Sequence, residues 1–157
     1  EKETLSEETK SLLGSRALFN FAIDFRTKNT QIKTAKEFQF TDKEFSQFQN
    51  FLKDDTTFVT EQEKSFQESY DLVDAAQHSK ISKDYQRLLN TLKEEKIKAL
   101  TSNKEFIKNE LKALILDQYY YEVGIYENKL TTDPTILEAS TLLKDQAKYK
   151  QILSGSK

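Results

Sequence analysis

The sequence predicts an all-α fold, a compact bundle of about five to six helices around one long central helix. Composition is the first indication: 157 residues contain only 3 Gly and 1 Pro, which favours helix and leaves little for the turns of a β-rich fold. The second is that apolar residues recur at steps of three and four along most of the chain. This period is clearest at about 102–130, where a helix rising 1.5 Å per residue would span roughly 40 Å.

This central stretch combines an apolar period with a start signal. Ser102 and Glu105 have the S-x-x-E spacing of a capping box. Three consecutive tyrosines follow at 119–121, and consecutive residues on a helix point in different directions. We therefore expect the central helix to be contacted from more than one side. Its periodic apolar residues are Phe106, Ile107, Leu111, Leu114, Ile115, Tyr119, Ile125, Tyr126 and Leu130.

A first helix is predicted over residues 11–27, and its apolar arc is unusually wide. Leu12, Phe19 and Ile23 form one stripe, and Leu18, Ala22 and Phe25 form a second. A helix with so wide an apolar arc is either buried on two sides within the domain or meets a partner outside it. Leu12, Phe19 and Ile23 are therefore a candidate interaction face.

Further capping signals divide the rest of the chain. Residues 29–40 lose the helical period and are predicted to be extended. Capping boxes at Thr41/Glu44 and Thr60/Glu63 then predict helices ending near residue 53 and residue 77. Another helix is expected over residues 82–100, and Asp133 followed by Pro134 predicts the start of a short one.

The ends of the chain set the predicted domain limits. Residues 1–10 are polar and charged, which predicts a flexible start or linker, and residues 154–157 are expected to be loose. Residues 11–157 are then one helical domain. The chain begins with Glu1 and contains no Met, so we expect it to be part of a longer protein.

The charge and composition argue against several classes of protein. The 24 basic and 26 acidic residues give a net charge of −2, whereas a nucleic-acid-binding domain shows a basic excess or a basic face. The absence of cysteine rules out disulfides and thiolate sites. No apolar run approaches the ~18 residues of a membrane span.

No residue pattern predicts catalysis, a metal or a cofactor. The single histidine, His78, has Asp74 one turn before it, which allows a shared metal or a raised pKa. The alternative is a surface histidine near a helix C-terminus, where the helix dipole favours it. The chain also lacks the nucleophile elbow, the glycine-rich phosphate loops and the two Glu-x-x-His motifs of a di-iron bundle. Adjacent Ser–Lys pairs point apart on a helix and therefore predict no dyad.

A candidate buried polar cluster lies near the end of the central helix. Glu122 falls on the apolar side of that helix, among the tyrosines that include Tyr119 and Tyr121. A tyrosine hydroxyl that donates to a partly buried carboxylate explains such a position. A pocket in which a small ligand stacks on these rings is the alternative.

Three groups of segments resemble the C-terminal region of carboxy-terminal processing, or tail-specific, serine peptidases, most closely the large forms of Bacteroidetes-type bacteria. The first group is LFNFAIDF at 18–25 and AKEFQFTD at 35–42. The second is FQNFLK at 48–53, with the acidic turn and helix that follow. The third is YYYEVGI at 119–125, with LKD at 143–145 and YKQIL at 149–153.

The resemblance implies a non-catalytic C-terminal appendage of a serine endopeptidase, located in the periplasm or cell envelope. In that family a PDZ domain holds the substrate C-terminus and a Ser–Lys dyad cleaves it, and both lie upstream of the region matched here. The implied partners are these upstream domains and the protein substrates of the parent. The implied role is structural or regulatory, in substrate access or assembly. A free-standing helical adaptor that binds a partner helix or peptide is the alternative.

Overall fold

The computed structural model describes residues 4–154, and the side chains of all of these except Ala75 and Ala76. Within this range there is no β-strand, and a long helix crosses the domain, which confirms the all-α prediction. Eight α-helices and one 3-10 turn lie within residues 4–154, more than the five to six helices expected, because the predicted first helix is two helices and a separate short helix is formed at residues 146–153. The helices are α1 (Glu7–Leu13), α2 (Ala17–Lys28), α3 (Asp42–Phe51), α4 (Glu61–Asp71), α5 (Ala75–Ala99), α6 (Lys104–Thr132), α7 (Pro134–Lys144) and α8 (Gln146–Leu153).

The predicted first helix is two helices separated by a break at residues 14–16. Gly14 ends α1, and the Ser15 hydroxyl donates to the Leu12 carbonyl at 2.7 Å and accepts from the Ala17 amide at 3.2 Å. This hydroxyl therefore serves the end of one helix and the start of the next. Helix α1 already begins at Glu7, inside the segment expected to be a flexible start; residues 1–3 of that segment lie outside the described residues.

Both capping boxes that start the middle helices are confirmed. The Thr41 amide donates to the Glu44 carboxylate at 2.8 Å, and the Thr60 amide donates to the Glu63 carboxylate at 2.9 Å. Residues 29–40 form no helix, as predicted. Helix α4 ends at Asp71 instead of continuing to residue 77, so α4 and α5 form a helical pair joined by a short turn.

Phenylalanines fill the core where α2, α3 and α6 meet. Phe21 of α2 contacts Phe48 of α3 edge-on, with ring centroids 5.1 Å apart, and Phe40 at 6.2 Å. Edge-to-face pairs of this kind add to the free energy of burying the rings. On α6, Ile107, Leu111 and Ile115 are fully buried at steps of four and form the face toward this core.

The predicted capping box at Ser102 and Glu105 is wrong. Residues Leu100–Asn103 form a 3-10 turn, and the Ser102 hydroxyl donates back to the Ala99 carbonyl at 2.8 Å. Asn103 is the residue before α6, and its side chain forms hydrogen bonds with Ser6 and Thr9 near the start of the chain. Its Oδ1 accepts from the Ser6 amide at 2.9 Å and from the Thr9 hydroxyl at 3.1 Å.

Helix α6 is long, as predicted, but it is kinked at Tyr121, where φ is 55° and ψ is −165°. Beyond α6, the predicted start of the next helix is confirmed, because Asp133 accepts from the Thr135 amide at 2.8 Å and Pro134 is the first helical residue. Neither α7 nor α8 has a buried residue. Of the predicted loose end at 154–157, residues 155–157 lie outside the described residues.

Candidate functional site

The candidate interaction face on the first helix is narrowed by the break at residues 14–16. Leu12 is fully buried in the core, which corrects its assignment to an outer face. The prediction assumed one continuous helix, whereas the break changes the direction in which the α1 side chains point. Phe19 and Ile23 remain 41% and 43% exposed on α2; we call this pair the α2 outer face.

The predicted buried cluster of Tyr119, Tyr121 and Glu122 is not formed. Tyr121 is 77% exposed and Glu122 is exposed as well. The kink is the reason, because residues on its two sides do not share one continuous helical face. Tyr119 is half-buried, and its hydroxyl donates to the Asn29 carbonyl.

Tyr119 instead belongs to a contact between α6 and the end of α2. The central carbon of the Arg26 guanidinium lies 4.8 Å from the centre of the Tyr119 ring, over its face. The same guanidinium donates a hydrogen bond to the Gln118 carbonyl. Burial raises the pKa of the Tyr119 phenol, against the opposing effect of the Arg26 charge. The hydroxyl therefore stays protonated at neutral pH and donates to the backbone. This arrangement holds two helices together and leaves the ring face covered by Arg26, so it is not an open stacking platform.

His78 belongs to an aromatic stack between α4 and α5. Its ring stacks on the Tyr70 ring with a distance of 4.7 Å between the ring centroids, and the Tyr70 ring stacks on that of Tyr85 with a centroid distance of 3.8 Å. Its Nε2 lies 3.1 Å from the Tyr70 carbonyl, in the last turn of α4. His78 is therefore in the first turn of α5, not at the helix end expected from the sequence, and it contacts the C-terminus of the preceding helix. Among residues 4–154, no group of three potential metal ligands is present.

A buried ion pair was not predicted from the sequence. The Lys96 ammonium lies 2.6 and 2.8 Å from the two carboxylate oxygens of Glu63, and their side chains are only 8% and 5% exposed. Lys96 also donates to the Phe58 carbonyl and lies 4.4 Å from the centre of the Phe58 ring. The same carboxylate accepts from the Thr60 amide, so the start of α4 is fixed to α5. Glu63 was found through its cap, but no sequence pattern links it to a lysine 33 positions away.

A surface cleft of about 650 Å³ lies between α2 and the end of α3. Buried Phe21 and Phe25 and half-buried Phe51 form its apolar lining. Its polar lining includes Asn20 and Asp24 of α2, Asn50 of α3 and the acidic turn that follows α3. Asp24 is already paired with Lys28 at 2.7 Å. No histidine or cysteine lines this cleft.

Most of the apolar residues that are more than half exposed lie in the C-terminal third of the domain, although Leu72, which follows α4, is 88% exposed. Val123, Tyr126 and Leu130 follow one another at steps of three and four after the kink, and each is more than half exposed; we call these three the C-terminal stripe. Other exposed apolar residues follow it on α7 and α8. They are Leu137, Leu143, Tyr149, Ile152 and Leu153. No helix within residues 4–154 is both long and apolar enough to span a bilayer.

One protein family matches nearly the whole domain. Its description is "Probable PDZ-protease, C-terminal helical domain", and the match covers residues 8–143, from α1 to the end of α7. No curated protein and no solved structure is significantly similar to the chain. The helical architecture agrees with the family description, and the match covers well over half of the sequence. The chain therefore belongs to the family of C-terminal helical domains of probable PDZ-proteases.

Proposed function

We propose that this chain is the non-catalytic helical C-terminal domain of a carboxy-terminal processing serine endopeptidase and that it controls substrate access or assembly of the enzyme. The family match over residues 8–143 is the observation that carries this proposal. In the proposed enzyme, a Ser–Lys dyad outside this segment cuts the peptide bond. The ammonium of buried Lys96 donates hydrogen bonds to the Glu63 carboxylate and the Phe58 carbonyl, not to a serine. These bonds agree with a structural role for Lys96.

The α2 outer face is the surface that we assign to the upstream domains. The start of the domain is held at Thr4, whose carbonyl accepts from the Asn103 side chain at 3.2 Å. A domain joined to this end of the chain has a high effective concentration near α1 and α2. Phe19 and Ile23 offer it an apolar pair on the nearest long helix.

The proposed partners are the upstream PDZ and catalytic domains of the same polypeptide and the protein substrates of the parent enzyme. The proposed location is the periplasm or the cell envelope. Both follow from the type of peptidase that the chain resembles.

The proposal is tested on the parent peptidase with Phe19→Ser and Ile23→Ser combined. We expect unchanged cleavage of a short unstructured peptide, since the dyad is intact, but an altered preference among folded protein substrates or altered assembly. The matched control combines Leu72→Ser and Leu88→Ser, which remove exposed apolar side chains from the α4–α5 pair. A parent enzyme that lacks this whole domain yet remains stable, assembled and equally selective would refute the role in access or assembly.

The C-terminal stripe favours a second candidate, a helical adaptor that binds a partner helix in an apolar groove. Titration of the domain with the separated catalytic part and with unrelated amphipathic helices distinguishes the two functions. Saturable binding to the unrelated helices alone supports the adaptor. Binding to the catalytic part that is lost with Phe19→Ser and Ile23→Ser supports the appendage.

A further inference from the structure

The backbone at Tyr121 has a conformation that side chains other than glycine rarely adopt. Its φ of 55° and ψ of −165° lie near a region that is almost restricted to glycine, yet the residue is an exposed tyrosine. A helical conformation at this position would remove that strain. The backbone of Tyr121 would therefore be more stable in a straight helix than in the kink.

Gly124, in contrast to Tyr121, favours the kinked conformation of α6. A Cβ atom at this position would lie only 2.3 Å from the Cβ of Tyr120, far inside van der Waals contact. The kinked turn therefore requires glycine here. In a straight helix, residues four apart have Cβ atoms about 5–6 Å apart, and a side chain at position 124 would be tolerated.

The two sides of the kink are fixed by different contacts to the extended connection at residues 29–40. Before the kink, the Tyr120 hydroxyl donates to the Lys33 carbonyl at 3.0 Å. After the kink, the buried Asn128 amide donates to the Ala35 carbonyl at 2.6 Å, and the Thr131 hydroxyl lies 3.4 Å from the Lys36 carbonyl. These bonds hold the last turns of α6 against the connection and oppose the straightening of Tyr121.

We propose that residues 121–124 form a pivot between two states of α6. One is the kinked state, held by Asn128 and permitted by Gly124. The other is a straight helix, in which Tyr121 is unstrained and the Asn128 contacts are broken. Straightening would move the second half of α6, the C-terminal stripe and α7–α8 away from residues 35–38. Neither α7 nor α8 has a buried side chain that would have to leave the core.

The absence of cysteine from the sequence allows a direct distance measurement. Spin labels on Glu110→Cys and Lys129→Cys, both exposed positions, would bracket the pivot in the intact chain. A straight helix separates these positions by about 29 Å along its axis, and the kink shortens this distance. Pulsed electron–electron double resonance should show a major population with a short distance between the labels and a minor population near the straight-helix distance.

Two substitutions should shift this equilibrium in opposite directions. Gly124→Ala should move most of the population to the long distance, because the added Cβ overlaps Tyr120 in the kinked state. Tyr121→Gly should remove the long component and raise the unfolding temperature, because glycine adopts the kinked conformation freely. Gly14→Ala is the matched control, since its Cβ would meet backbone oxygens only at 3.6 Å, and it should change neither distance.

Two results would overturn the pivot. One is a distance distribution that neither substitution changes while circular dichroism shows intact helix. A lower unfolding temperature for Tyr121→Gly would do the same, since a glycine inside a permanently straight helix is destabilising. If Gly124→Ala does not fold, the Tyr121→Gly distances and unfolding temperature decide the question alone.

Discussion

At the scale of single residues, the buried Glu63–Lys96 ion pair joins the start of α4 to α5. Both charges are buried, and each has further hydrogen bonds, from Thr60 to the carboxylate and from Lys96 to the Phe58 carbonyl. A buried pair of this kind adds little stability compared with an apolar pair, but the loss of one partner leaves an uncompensated charge. The pair therefore fixes how α4 meets α5.

Lys96→Met should destabilise the domain by about 3 kcal/mol, since Glu63 stays buried without its counter-charge. Combining Lys96→Met with Glu63→Leu should recover part of this loss, because no charge is then buried. Urea unfolding followed by circular dichroism measures both variants. Lys98→Met is the control: it breaks the exposed Lys98–Glu95 pair on the same helix and should leave the midpoint almost unchanged. An equally small effect of Lys96→Met would show that the buried pair is unimportant.

The start of α3 should be sensitive to acid. Burial would raise the pKa of Glu44, but hydrogen bonds from the Thr41 hydroxyl and amide outweigh it and hold the pKa below its ordinary value of 4.5. A carboxyl whose pKa is lower in the folded state stabilises the fold above its unfolded pKa, and this contribution disappears as the pH falls through the folded pKa. The free energy of unfolding should therefore fall below about pH 4.5.

Glu44→Gln should reduce this loss of stability on acidification, because the amide oxygen still caps Thr41 but does not titrate. Chemical unfolding at a series of pH values from neutral to acidic measures the effect, with Glu110→Gln as a control for the loss of an exposed carboxylate. An unchanged pH dependence in Glu44→Gln would contradict the assignment.

At the scale of helices, the sequence predicts what adjacent residues determine. The capping boxes at Thr41 and Thr60 and the Asp133–Pro134 start are correct because every hydrogen-bonding group involved lies within four residues. The box at Ser102 fails because Asn103 is engaged by Ser6 and Thr9, nearly a hundred positions away. Contacts of this kind leave no periodic signal in one sequence.

The candidate sites, too, were predictable only where adjacent residues determine the structure. Phe19 and Ile23 are exposed as the wide apolar arc allowed, whereas Leu12 is displaced by a break that only Gly14 hints at. The Tyr119–Tyr121–Glu122 cluster assumed a straight helix. The backbone of Tyr121 violates its own preference, so local propensity argues against the kink that the whole fold imposes.

Hydrogen bonds to one side chain, Asn103, hold the start of α1, in addition to the burial of Leu12. Asn103→Ala removes the acceptor for the Ser6 amide and the Thr9 hydroxyl and should cost about 1–3 kcal/mol. Hydrogen exchange should accelerate in α1 while α3 keeps its protection. Ser102→Ala, whose hydroxyl is exposed and bonds only within its own turn, is the control. Uniformly faster exchange across the domain would instead show that α1 does not open separately.

At the scale of the whole molecule, stability should decrease from the core of α6 toward α8. Ile107, Leu111 and Ile115 are fully buried, whereas α7 and α8 have no buried residue. Local opening requires little free energy where few apolar contacts are broken. Hydrogen exchange by mass spectrometry should therefore show strong protection at residues 107–116 and weak protection at 146–153. Equal protection in the isolated chain would show that the last helices are better packed than their exposure indicates.

This gradient agrees with the proposed role in a larger enzyme. The core around α2, α3 and α6 is buried, whereas the α2 outer face, the C-terminal stripe and the last two helices present apolar side chains to solvent. Contiguous exposed apolar surface marks a site of protein contact. The upstream domains and the protein substrates are the partners that the proposed function supplies.

The central claim is that this domain works as part of a carboxy-terminal processing peptidase, and the size and location of the native protein test it most directly. Source cells are fractionated and probed with an antibody raised against this domain. We expect a band much larger than 18.3 kDa in the cell-envelope fraction. A band of the size of this chain alone, in the cytoplasm, would contradict the account and favour the helical adaptor.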